Sequence, residues 1–166
     1  VAQSFAQPAH LVAMSTITPV SIREFGADNL DAGDAIVVND PHRGASHLND
    51  VTIISPVEID GERIGYVANM AHHVDVRGSS PASLGVNKEL CKEGIILPPT
   101  RIARRGTIDD NILKLILANL RAPRETNGDL RAQMSANVVG TRRMTTLHQK
   151  YSATVLREFF DELINY

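Results

Sequence analysis

The chain has 166 residues, of which 43% are hydrophobic and 22% charged, with a formal net charge of −2. That length suits one ordinary domain, and the apolar content is enough to bury a core, which excludes disorder by composition. The charge balance gives no electrostatic reason to expect nucleic acid or an anionic membrane as partner.

One cysteine, Cys91, excludes an internal disulfide and fits a reducing, cytoplasmic location. No apolar run reaches the ~20 residues that a membrane-spanning helix needs. Residues 1–10 lack a basic stretch followed by an apolar core, so they do not read as a signal peptide. They read as a chain already under way inside a larger domain.

In chain order, residues 35–38 (AIVV) read as a buried strand that ends at Asn39-Asp40-Pro41, because Asx-Pro favours a turn. Residues 51–57 and 64–70 are two more strands, and Asp60-Gly61 between them is a hairpin signal. Residues 78–85 are a loop by composition, and Leu97-Pro98-Pro99 is extended. From residue 108 the apolar period becomes helical. The spacing predicts a helix over 108–120, with Thr107 as cap and Pro123 as stop. Further helices are expected over 129–151 and 155–164. Strands first and helices afterwards argue for an α+β fold: a strand-rich N-terminal two-thirds with a β-hairpin, then a helical C-terminal third.

Five of the six histidines precede residue 74, and four of those lie in residues 39–50 and 71–78. If residues 51–57 pair with 64–70, Asp50 faces Ala71 at the open end of the hairpin, with His47 and either His72 or His73 close by. Two imidazoles and a carboxylate are a ligand set for a divalent metal, and such an N₂O set suits Mn, Fe or Zn. Asp75 and His72 stand in reserve as a further ligand or as a group that orients an imidazole. The competing reading is that Asp and His simply favour turns. A Cys91–His dyad has little support, since a lone cysteine is more often a small core residue. No CxxC pair, P-loop, GxSxG or GxGxxG occurs to sharpen the assignment. Asn119, Arg121, Glu125, Asp129, Gln133 and Asn137 form a second polar group. Asp129, Gln133 and Asn137 share one helical face, either lining a polar pocket or facing solvent.

These segments also carry a family resemblance. NDPHRGASHLNDV (39–51), GYVANMAHHVDVRG (65–78), KEGIILPPTRI (92–102) and the run from Leu115 to Met144 resemble, in order, the motifs of the hydantoinase B/5-oxoprolinase family. The resemblance implies one portion of a longer hydantoinase B-like domain over residues 1–166, truncated at both ends. It implies an ATP-dependent amidohydrolase acting on cyclic amides of the hydantoin or 5-oxoproline type. ATP would be bound by a hydantoinase A-like partner subunit or domain, and this chain alone would be inactive. A ketone carboxylase subunit is the alternative within enzymes, and a non-catalytic assembly module the alternative outside them. The resemblance places the metal ligands at His47, Asp50 and His73. Asp75, Glu93, Glu125 and Asp129 are the candidate acid–base groups. Two departures stand out: Ala45 replaces the second Gly of a Gly-Gly pair, and Arg77 precedes a single Gly78 where Gly-Gly is usual.

Overall fold

The computed structural model describes residues 8–80 and 85–165. The reading of residues 1–7 and of part of the loop expected over 78–85 therefore lies outside the described residues. The chain forms α1 (Pro8–Phe25), β1 (Ala35–Val38), β2 (Asp50–Ile59), β3 (Glu62–His72), β4 (Thr100–Arg104), β5 (Thr107–Ile108), α2 (Asp110–Ala118) and α3 (Pro123–Asn165). The fold is α+β: an antiparallel sheet of five strands in the order β3-β2-β1-β4-β5, followed by helices.

β2 and β3 form the hairpin that the apolar runs and Asp60-Gly61 predict. Asp60 (φ 53°) and Gly61 (φ 82°) both lie in the left-handed region, as a two-residue type I′ turn requires. Next to the turn Ile59 pairs with Glu62 and Glu58 with Arg63, but Val57 then pairs with Gly65. Ile64 is thus an extra residue, a β-bulge. Beyond it every pairing is offset by one, so Asp50 faces His72 and Ala71 faces Val51. An unbulged ladder would set Asp50 opposite Ala71.

Side chains alternate across a sheet, and the two faces carry separate cores. On one face Ile36, Val38 and Ile54, with Tyr66, Ala68 and Met70, pack with Ile17 of α1 and with Leu30. On the other, Val37, Val51 and Ile53 pack with Leu113, Ile116 and Leu130 of α2 and α3. The sheet is the middle of three layers.

Several boundaries differ from the sequence expectation. α1 was not anticipated: Thr16, Ile17, Thr18, Pro19 and Val20 are poor helix formers, and packing on the sheet overrides them. β4 follows Pro98-Pro99 and was also missed. The first C-terminal helix starts at Asp110, not Ile108, because Thr107 and Ile108 pair with Arg104 and Ala103. Its cap is Asp109, whose carboxylate accepts from the amides of Asn111 and Ile112. Pro123 opens α3 instead of closing α2, in keeping with proline's place in a first turn. α3 breaks at Ser152 (φ 67°, ψ 161°), between the two helices expected over 129–151 and 155–164.

Candidate metal centre

Asp50 is the first residue of β2. Its side chain lies on the α1 side of the sheet and is 0% exposed. Three histidines reach it from three elements. His72, at the end of β3, places Nδ1 2.7 Å from Oδ1. His47, in the loop before β2, places Nδ1 3.0 Å from Oδ2 and donates its backbone N–H to the same oxygen at 3.0 Å. His10, in the first turns of α1, places Nε2 3.3 Å from Oδ1. The rings of His47 and His72 stand edge to face, 5.8 Å between centroids. His47 and His72 are exposed, so the buried carboxylate forms the floor of a site open to solvent.

Burial works against ionisation of Asp50. The hydrogen bonds from His72 and His47, with the neighbouring charges of His10 and His47, outweigh it and hold the carboxyl below its ordinary value of 3.8. Metal binding needs an ionised carboxylate and neutral imidazoles. Among the described residues, donor atoms of His10, Asp50 and His72 all lie within 4.8 Å of one another, a span that one ion can bridge. The residues present therefore fit a divalent metal.

His73 does not join this group. The bulge at Ile64 turns His72 to the α1 side and sends His73 to the other, where it is 2% exposed and its Nε2 lies 2.9 Å from Gln133 Oε1. A one-residue shift of register exchanges the faces of a whole strand, and that shift is why the structure replaces His73 by His72 in the cluster. His47 and Asp50 are brought together as expected. His10 was missed. Its only sequence signal was helical spacing to the apolar Ile17 and the small Ser21, inside a segment not read as a helix.

Asp75 serves as an anchor. Its carboxylate accepts the backbone N–H groups of Arg77 (2.9 Å), Arg121 (2.5 Å) and Ala122 (3.1 Å), and Arg121 Nη1 at 3.3 Å. Burial alone would raise its pKa, but these donors lower it. Asp75 thus ties the segment after β3 to the start of α3. Glu93 is half-buried beside Gly94, while Glu125 and Asp129 are exposed on α3; none of the three belongs to the convergent donor group. Gln133 and Asn137 are buried, so their helical face is neither a pocket wall nor a solvated surface. It is the docking face of α3. Cys91 is exposed, not a core residue.

Arg77 takes φ 76° and Gly78 φ 82°, so the position where the family uses Gly-Gly does require the left-handed region twice. Gly78 is further constrained, since a Cβ there would stand 2.5 Å from the Glu93 carbonyl oxygen.

Fold and cluster together define an α+β chain carrying a His/Asp/His group whose donor atoms converge as a metal ion would need. The chain belongs to the Hydantoinase B/oxoprolinase family, whose sequence profile matches residues 1–166. It is 38% identical over 169 residues to an uncharacterised protein of Methanocaldococcus jannaschii, covering 100% of this chain and 30% of that protein. It is 32% identical over 147 residues to a protein of Pseudomonas sp. named as the B-type component of a D-/L-hydantoinase, covering 87% of this chain and 25% of the relative. The crystal structure of the ATP-dependent caprolactamase from Pseudomonas jessenii superposes with a TM-score of 0.86 at 32% identity, over 93% of this chain and 27% of that one. The chain thus spans between a quarter and a third of the length of these relatives. No helix among the described residues is long and apolar enough to cross a membrane.

Proposed function

We propose that this chain forms the metal-bearing portion of an ATP-dependent hydrolase of cyclic amides, with ATP bound by a hydantoinase A-like partner subunit or domain. The observation that carries the reading is the convergence of three imidazoles on one buried carboxylate. Family membership, with relatives named as a hydantoinase component and a caprolactamase subunit, supports the reaction class. Asp50 and His72 would hold a divalent ion such as Mn, Zn or Fe, with His47 and His10 alongside. When bound, the ion supplies Lewis acidity toward a carbonyl or phosphoryl oxygen, or toward a water. Asp50 contributes fixed negative charge at the floor, and the exposed edges of His47 and His72 leave the approach open to a small substrate. The described residues contain no phosphate-binding loop motif, so the chain by itself is expected to show no ATP turnover.

The test uses the complex with its ATP-binding partner. Metal content and ATP-dependent opening of hydantoin, 5-oxoproline and caprolactam are measured with and without bicarbonate. Bound metal and bicarbonate-independent ring opening, both lost in Asp50→Ala, are expected. Equal metal content in Asp50→Ala and wild type would refute the site. ATP use that requires bicarbonate would replace hydrolysis by carboxylation.

A further inference from the structure

The residues on the far face of the sheet, behind the cluster, are connected to one another more closely than packing alone needs. Gln133 of α3 is buried and reaches three points on the hairpin. Its Nε2 donates to the Val51 carbonyl at 2.8 Å and to Asn69 Oδ1 at 2.9 Å, and its Oε1 faces His73 Nε2 at 2.9 Å. Val51 follows Asp50, and His73 follows His72. One side chain therefore holds the residue next to each of the two central groups of the cluster.

The orientations in this network are set by main-chain acceptors, which have only one role. The Val51 carbonyl can only accept, so Gln133 Nε2 must be the amide nitrogen and Oε1 must accept. Asn69 Nδ2 donates to the Gln133 carbonyl at 2.8 Å, which fixes Asn69 Oδ1 as acceptor in turn. It follows that His73 carries its proton on Nε2 and donates to Gln133. His73 Nδ1 is buried and has no partner among the described residues, so Gln133 is the side chain that sets this ring. The main chain at the same point is closed by Asn49: His73 N donates to the Asn49 carbonyl at 2.8 Å, and Asn49 Nδ2 donates to the His73 carbonyl at 2.7 Å. Antiparallel ladders fray at their ends, and the Asp50–His72 pair is the last rung. Asn49, His73 and Gln133 extend the restraint one position past it.

We infer that Gln133, acting through His73 and Val51, is a positioning residue for the Asp50–His72 pair, so that α3 sets metal affinity from the opposite side of the sheet. The inference rests on the metal reading above. Removing the Gln133 amide frees the strand ends on which the two groups sit, without touching either.

The control lies in the same network. Asn137 also docks α3 on the hairpin, donating to the Ile53 carbonyl and to Ser55 Oγ, both at 3.1 Å, and accepting from Asn69 Nδ2 at 2.7 Å; it shares Asn69 with Gln133 but bonds neither Val51 nor His73. Gln133→Leu and Asn137→Leu remove similar bonds and are expected to lower thermal stability similarly. The experiment titrates the full chain with Co(II) and records its visible absorption. Gln133→Leu is expected to weaken Co(II) binding by about 10–100-fold, the usual effect of losing a group that orients ligands, and to alter the spectrum. Asn137→Leu is expected to leave both unchanged. Wild-type affinity and spectrum in Gln133→Leu would overturn the inference, as would equal weakening in Asn137→Leu. A wild-type chain that binds no Co(II) would instead overturn the metal reading on which the inference rests. Nitrogen-15 NMR of the metal-free protein gives a separate check, since a His73 ring protonated on Nδ1 contradicts the proposed bond to Gln133.

Discussion

Asp75→Ala should destabilise the protein substantially while leaving metal binding nearly intact. The carboxylate accepts three main-chain N–H groups and one guanidinium N–H, and two of the main-chain donors, Arg121 and Ala122, immediately precede α3. Its charge therefore serves as a cap supplied from another segment and faces the positive end of the helix. A hydrogen bond to a charged group contributes about 1.5–3 kcal/mol net, and a buried donor left without a partner costs about 1–3 kcal/mol. Arg121 is exposed, so water can replace part of what is lost. A total of about 3–4 kcal/mol is the reasonable sum. At about 2–4 °C per kcal/mol for a chain of this size, Tm should fall by roughly 10 °C. The pH dependence has a definite sign. The folded-state pKa of Asp75 is lowered, so its contribution is fully present above the unfolded value of about 3.9 and is lost as pH falls through the folded value. The stability gap between wild type and Asp75→Ala should be flat above about pH 5 and close below about pH 4. Thermal melts across that range, with Co(II) titration of both proteins at pH 7, measure it. An unchanged Tm together with loss of metal would move Asp75 from the anchor into the site and refute the reasoning.

His72→Ala should abolish metal binding, whereas His73→Ala should only weaken it; calorimetric titration that ranks them the other way would restore His73 as the ligand. Deleting Ile64 should leave the Asp50–His72 pairing in place, because the ladder resumes at Gly65 with or without the extra residue; loss of metal from a folded deletion variant would contradict this. Arg77→Gly should raise stability by about 1 kcal/mol, the cost of a side chain in the left-handed region, and a lower Tm would show that the Arg77 side chain contributes more than its backbone costs.

Much of the hairpin was legible, because Asp60-Gly61 and its flanking apolar runs are local signals. The bulge was not. Gly65 inside the strand is a bulge signal, but it does not mark which neighbour is left unpaired, and that choice depends on which β3 side chains the two cores accept. His10 was hidden for a related reason: α1 is poor in helix formers, and its reality comes from packing against Ile36 and Ile54. The Gln133–Asn137 face was found by periodicity, yet periodicity cannot tell a wet stripe from one bonded to strand carbonyls. Conversely, the Gly-Gly departure at Arg77 pointed directly to a backbone demand that the structure contains.

The bulge at Ile64 fixes one of the two frames open to such a hairpin, like a zip that can be started one tooth out. In the other frame Ile64 is paired, and everything beyond it on β3 rolls over: His73 comes up beside Asp50 and His72 goes under. Because the two histidines are adjacent, either frame offers the carboxylate an imidazole. The hydrophobic side chains have no such duplicate. Tyr66, Ala68 and Met70 would leave α1, and Asn69 would lose Gln133. The frame is therefore chosen by residues that do not touch Asp50, and the Asp50 cluster inherits the histidine that the core selects.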